Sequence, residues 1–462
     1  MFFYLSFIVI LGAAVIIHEF GHFIVAKLLG IRVETFSVGF GKRLFGRKWG
    51  TTDYRVSLIP LGGYVKLGGD DSNAGIEEGS DDSANVPVKE RFDLRPRWQK
   101  FLVAVAGPIM NILTAIAIPL AGAMAVGAPV MPPPVVKTVQ QGAAGEAAGL
   151  RPGDRIVSFN GRDDSDWERI SNDALLSPEQ PIPLVVERDG ERVPLTIRPV
   201  KKLSEGEAYG ELGIVPDHGD VPVVIFSVEK DTPASEAGIL PGDRVVSIGG
   251  EQVGSAAQII QYINEHPRQP ITMQIERDGQ TREVTATARR LSDGRERLGI
   301  GPGEAAPIRK LGLTDALGYS VGQNIEILRL TGMALKQVFT GQRSMRDTFS
   351  GPVGIAVASK RAVEEGGVEG GLKMLGFLSL NLGVFNLLPI PVLDGGMIFM
   401  LLIEGILAIV GMKLSMGMRE RIQQVGFVFL LLLMSFVIIN DLAKVASRWR
   451  GAESPPAATE QK

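Results

Sequence analysis

Two histidines and a glutamate stand inside a stretch that otherwise carries no charge. From Met1 to Ile17 no side chain is formally charged, His18-Glu19-Phe20-Gly21-His22 follows, and apolar residues resume at Phe23, Ile24, Val25 and Ala26. A helix of about 20 such residues is long enough to cross a bilayer. A charged group near the centre of such a span costs roughly 2.5 to 3.5 kcal/mol on insertion scales, so three ionisable side chains there need partners or a functional reason. On a helix, the i,i+4 spacing sets both imidazoles on one face, able to hold one metal ion while Glu19 approaches a water on that ion. A cleaved signal peptide is the alternative, but no Lys or Arg precedes the run and no small-residue cleavage pattern follows it.

Composition narrows the ligands. The 462 residues include no Cys, which excludes disulfides, thiolate zinc sites, iron-sulfur clusters and a cysteine nucleophile. Only four His exist, at 18, 22, 218 and 266, the last two expected at the surface. Catalytic zinc typically takes three protein ligands and a water, so a third ligand has to come from elsewhere. Asp394 is the candidate: it interrupts a third apolar stretch, in Asn386-Leu-Leu-Pro-Ile-Pro-Val-Leu-Asp-Gly-Gly396, and no Lys or Arg lies between Met374 and Met412 to neutralise it. With 48 Lys plus Arg against 51 Asp plus Glu, the net charge of -3 leaves no basic excess for nucleic acid.

The fold class this predicts is a multi-pass α-helical membrane protein with four transmembrane helices. The first is 1–28 and the second lies within 98–128, where Pro119 and Pro129 are expected to end or kink it. The third is a region over 372–410 and the fourth is 422–445. Between the first two spans, Lys27 to Lys100 carries 13 Lys and Arg, which places 29–97 in the cytoplasm and the amino terminus outside. The carboxyl tail then lies outside, although Lys444, Arg448 and Arg450 conflict mildly with that side.

A duplication occupies the long segment after the second span. Ala148-Gly-Leu-Arg-Pro-Gly-Asp-Arg-Ile-Val-Ser-Phe-Asn-Gly161 recurs as Ala237-Gly-Ile-Leu-Pro-Gly-Asp-Arg-Val-Val-Ser-Ile-Gly-Gly250, with nine of fourteen positions identical. The same 89-residue offset relates Glu187-Arg-Asp-Gly190 to Glu276-Arg-Asp-Gly279. Turn residues followed by alternating strands, with Asp-Gly hairpin signals, predict two tandem β-rich units, 135–216 and 221–303, on the extracytoplasmic side. Each resembles a PDZ domain. That resemblance implies either capture of a peptide on a sheet edge or a steric gate that filters substrates by size, and the sequence leaves both open.

His18-Glu19-x-x-His22 in the first span, Gly107-Pro-Ile-Met-Asn111 in the second, the tandem units and Asn-x-x-Pro-x-Pro-x-Leu-Asp-Gly in the third together resemble the site-2 protease family, in its RseP-type branch of intramembrane zinc metalloproteases. The resemblance covers nearly the whole chain. It implies Zn2+ on His18, His22 and Asp394, Glu19 as general base, and a bacterial inner-membrane enzyme with its PDZ units in the periplasm. It also implies substrates: single-span membrane proteins such as an anti-sigma factor already cut on the outer side, and signal-peptide remnants. Asn386, with Pro389 and Pro391, is implied to contact unwound substrate; the alternative is that the prolines only kink the span and Asn386 satisfies the broken helix. Relatives carry His after Leu-Asp-Gly-Gly where this chain has Met397, a position not needed as a ligand.

Several other segments carry expectations. Tyr54, Val56 and Leu58 alternate before Pro-Leu-Gly-Gly and Tyr64 to Leu67, which predicts a hairpin at the membrane or a solvated ribbon. Leu313, Leu317, Val321, Ile325, Leu328 and Leu335 predict an amphipathic helix over 311–345, on the membrane surface or against the PDZ pair. Ser350-Gly-Pro-Val-Gly-Ile355 resembles a family phrase with no chemistry assigned. The acidic loop from Asp70 to Asn85 and the tail 451–462 are expected to lack fixed structure. A membrane-anchored scaffold with a structural metal, or an ion transporter, is the rival reading, and Glu19 discriminates because only a protease needs it for turnover.

Overall fold

The computed structural model describes residues 2–69, 86–130, 133–163, 166–204, 207–217, 221–290, 296–341, 351–409, 411–412 and 416–453. His218, the acidic loop 70–85 and the tail from 454 lie outside these. The chain divides into two compact units: 1–125 with 311–328 and 349–442, and 126–310 with 329–348 and 443–462.

The first unit contains α1 (Phe2–Leu28), β1 (Val33–Trp49), β2 (Thr52–Leu67) and α2 (Arg97–Ala125). Among the described residues, four helical segments are long and apolar enough to cross a membrane: Leu5–Leu28, Arg97–Ala125, Gly366–Asn386 and Arg421–Asp441. Small residues let the helices approach closely, since a Cβ at Gly21 would stand 2.9 Å from Gly107 Cα and one at Gly383 would stand 2.9 Å from the Pro108 carbonyl oxygen.

Pro108 and Pro119 lie inside α2, so the helix does not end at Pro119. Pro119 has no N–H for the carbonyl of Ala115, four residues earlier. That carbonyl accepts instead from Asn324 Nδ2 at 3.0 Å, and the next, Ile116, accepts from Ser320 Oγ. Both donors sit on α3 (Leu313–Phe339). On this helix Ala316, Ser320, Asn324 and Gln337 are buried, while Leu313, Leu317 and Ile325 of the predicted apolar stripe are exposed. A buried carbonyl without a donor is costly, so Asn324 turns toward that of Ala115.

Beyond it, α4 (Pro352–Asn386) is interrupted at Gly367, which has a positive φ of 56°. Its first residues receive a buried carboxylate, because Asp441 accepts from the amides of Gly351, Val353 and Gly354 at 2.9–3.2 Å. An anion at the exposed N–H groups of a helix start is stabilising, and this gives the Gly-Pro-Val-Gly phrase a structural reason. The third predicted region, 372–410, is two helices: α4 ends at Asn386, a loop follows, and α5 (Asp394–Ile409) begins at Asp394. The last helix, α6 (Met416–Glu453), continues three residues into the expected tail.

The β1–β2 register differs from the predicted hairpin. Thr35, Phe36, Ser37 and Val38 pair with Asp53 to Val56 and also with Lys66 to Gly63, so both predicted arms flank a strand that the sequence reading missed. Burial of Val33, Val65 and Leu67 with Ala26, Ile31 and Val103 supplies the reason.

In the second unit, two modules share one build. The first sheet runs in the order β7-β3-β4-β5-β6, from β3 (Val135–Val139), β4 (Arg155–Phe159), β5 (Ile182–Arg188), β6 (Glu191–Ile197) and β7 (Ile214–Asp217). Its counterpart has β8 (Val223–Val228), β9 (Arg244–Ile248), β10 (Pro270–Arg277), β11 (Gln280–Thr287) and β12 (Ile300–Glu304), in the order β11-β10-β9-β8-β12. Each encloses its own core, around Phe159, Trp167 and Ile170 in one and Ile248, Ile259 and Met273 in the other. Asp189-Gly190 and Asp278-Gly279 both have positive φ, as a two-residue turn matched to strand twist requires.

Candidate metal centre

His18 and His22 project from one face of α1, and Asp394 meets them from the first turn of α5, across the loop Leu387–Leu393. His18 Nε2 stands 3.0 Å from Asp394 Oδ2, His22 Nε2 stands 3.5 Å from Oδ1, and the two Nε2 atoms are 3.3 Å apart. Ligands held tetrahedrally at zinc distances lie about 3.3 Å from one another, which these spacings match. Asp394 Oδ2 is buried and makes no hydrogen bond, despite its proximity to Nε2. A carboxylate oxygen left bare beside two ring nitrogens suits a shared cation.

The second ring nitrogen of His22 is committed, since Nδ1 donates to the Val103 carbonyl at 2.7 Å and so leaves Nε2 with its lone pair. Space for an ion is kept by Gly107 of α2. A Cβ there would come within 2.9 Å of the His18 ring and closer still to His22 Nε2. The donor set, the orphaned oxygen and this cradle all fit zinc.

Glu19, one residue along, accepts a hydrogen bond from the Val65 backbone amide and feels the charges of His18, His22 and Asp394. The strand from Gly63 to Leu67 therefore lies against it. The same packing of Val65 and Leu67 on α1 residues that shapes the sheet also holds this amide in place.

Of the residues implied for substrate contact, Asn386 ends α4 with Nδ2 3.3 Å from His18 Nε2. Pro389 and Pro391 lie in the following loop, and Pro391 stands so near Gly426 of α6 that a Cβ there would overlap it. Gly395 and Gly396 likewise admit the loop carbonyls of Leu388 and Ile390. His266 is elsewhere, its Nδ1 bonded to the Tyr262 carbonyl at 2.9 Å. Sequence reasoning missed Val65, Val103 and Gly107 as parts of the site. The first two act through backbone atoms, which no side-chain pattern reports, whereas Gly107 was visible within Gly107-Pro-Ile-Met-Asn111.

A helix-borne pair of histidines with an intervening glutamate, completed by an aspartate from a second apolar helix, defines a metallopeptidase built into a membrane protein. The model of peptidase family M50 matches residues 6–433, and the chain belongs to that family, the site-2 proteases. It is a metalloendopeptidase. Its relatives include a protein named as a zinc metalloprotease in Pasteurella multocida, 32% identical over 95% of this chain and 98% of that one. The regulator of sigma-E protease RseP of Escherichia coli is 30% identical and the protease RseP of Yersinia pestis 31%, each again over 95% of this chain and 98% of the relative. A solved PDZ domain of an SdrC-like protein from Listeria innocua is similar to 18% of this chain, at 26% identity and a TM-score of 0.16.

Proposed function

We propose that this protein is a zinc endopeptidase that cuts peptide bonds within transmembrane segments, with His18, His22 and Asp394 holding the ion and Glu19 serving as the base. The convergence of both Nε2 atoms, from an apolar helix long enough to cross a membrane, on Asp394 at the start of a second apolar helix carries the reading. Zinc bound there supplies Lewis acidity, lowering the pKa of a water and polarising a carbonyl. Glu19 takes the proton from the attacking water and later delivers it to the leaving amine, its carboxylate oriented by the Val65 amide.

A substrate helix has to unwind before attack, and its freed amides then need partners within the membrane. Two features support where they go: the strand from Gly63 to Leu67 beside Glu19, which offers main-chain pairing, and Asn386, whose amide reaches the centre. Pro389 and Pro391 shape the loop between Asn386 and Asp394. The 13 Lys and Arg of Lys27–Lys100 support a cytoplasmic hairpin and periplasmic PDZ modules, in an inner membrane. The Escherichia coli relative carries sigma-E regulation in its name. A membrane-bound anti-sigma factor, cut first on the outer side, is the corresponding substrate here, with signal-peptide remnants as a second class and the PDZ pair filtering by size or binding peptide.

The test uses purified full-length protein, metal analysis and a single-span substrate. Glu19→Gln is expected to retain zinc and lose at least about 100-fold in cleavage, the lower end for a lost general base. Asp394→Ala is expected to lose zinc. Cleavage by Glu19→Gln at the parental rate, or undiminished zinc in Asp394→Ala, refutes the assignment of that residue.

A further inference from the structure

The two ligand histidines are held differently, and the difference assigns a role to Asn111. His22 Nδ1 faces a carbonyl, which can only accept, so its tautomer is fixed. His18 faces two amides: Asn111 Nδ2 is 3.2 Å from its Nδ1 and Asn386 Nδ2 is 3.3 Å from its Nε2. Both amide nitrogens are donors, and a neutral imidazole has one acceptor nitrogen. One amide therefore has to present its oxygen. Asn111 is fully buried on α2, and its Oδ1 is a buried atom with no hydrogen-bond partner. A half-turn of that amide, which exchanges two atoms of nearly equal size, gives the orphaned oxygen a partner and removes the conflict.

We infer that Asn111 is a positioning residue that accepts the Nδ1 proton of His18 through its amide oxygen, fixing the tautomer in which Nε2 offers its lone pair to the ion. It does for His18 what the Val103 carbonyl does for His22, so the two rings present equivalent nitrogens. This rests on the zinc reading above, with Asn111 itself touching neither ion nor substrate. At position 111 the amide oxygen of Asn is neutral and adds no further charge to a buried centre.

The test is zinc affinity, measured by chelator competition on the full-length protein, together with nitrogen NMR of 15N-histidine-labelled, metal-free protein. Asn111→Leu removes the acceptor at similar volume and is expected to weaken zinc about 10- to 100-fold, the range for lost partners of ligand histidines. Asn111→Asp keeps an oxygen and is expected to stay near the parent. In the metal-free parent, His18 Nδ1 is expected to carry a hydrogen-bonded proton, and Asn111→Leu to lose that hydrogen bond. Parental affinity in Asn111→Leu, equal losses in the Leu and Asp variants, or a bare Nδ1 in the parent would overturn the inference. Should the parent bind no zinc, the metal reading fails, while the Nδ1 proton of His18 still decides for or against Asn111.

Discussion

At positions 89 residues apart, the first β module has Asn160 and Asp173 where the second has Gly249 and Tyr262. Asn160 Nδ2 donates to Asp173 Oδ2 at 2.9 Å, and Asp173, fully buried, also pairs with Arg329 of α3. In the second module the aromatic ring fills that place, and a Cβ at Gly249 would run into the Tyr262 hydroxyl. Tyr262 stacks on His266, with centroids 4.1 Å apart. What the modules share is of another kind. Asp154 takes a two-pronged bond from Arg188 at 2.7–2.8 Å and the amide of Arg151; Asp243 takes the same from Arg277 at 2.6 Å and the amide of Leu240. Each arginine also reaches the carbonyl of a turn glycine, Gly149 or Gly238. The duplicated chemistry closes the fold of either copy, while the diverged pair decides what each helix is tied to.

Breaking the shared clasp should have the largest effect. Arg188→Ala or Arg277→Ala strands a buried carboxylate and is expected to destabilise its own module by about 3 kcal/mol, with the other left folded. Denaturant unfolding followed by limited proteolysis of each module checks this, and equal losses in both would break the comparison. Burial pushes the Asp154 and Asp243 carboxyls up, but their arginine partners and amides outweigh it and hold both below the ordinary value. The clasp therefore stabilises above the unfolded carboxylate pKa and is lost as pH falls through the depressed folded value; the arginine variants should show a flatter acid limb.

A swap sharpens the contrast. Gly249→Asn alone overpacks against Tyr262 and is expected to cost about 2 kcal/mol, whereas adding Tyr262→Asp recreates the first module's pair and should recover part of that. Additive costs would show the two positions to be independent. The smallest effect is expected at the helix starts, where Asp166 caps the Arg169 amide and Ser255 caps that of Gln258. Alanine at either should cost about 1 kcal/mol, nearly equal in the two modules by thermal unfolding.

The grouping of His18, His22 and Asp394 could be read from the sequence because ionisable groups in an apolar run are expensive, which leaves them, with Glu19, few alternatives to one another. Both β modules were legible for a different reason: a repeat reports its own boundaries. The buried face of α3 was not, since the carbonyl that Asn324 answers is freed by Pro119, roughly 200 positions earlier in the chain. Nor was β1, where Lys42, Arg43, Arg47 and Lys48 conceal the alternation that Val33, Thr35 and Ser37 begin. Asn111 was quoted as part of a phrase, but an asparagine in an apolar helix has many possible tasks, and only its neighbours choose among them.

Gly107 leaves the centre bounded on one side by a hydrogen atom. Every other amino acid adds at least a methyl carbon there, and that methyl would press into both imidazole rings. The spacing of the two rings thus depends on the absence of matter at one position of α2.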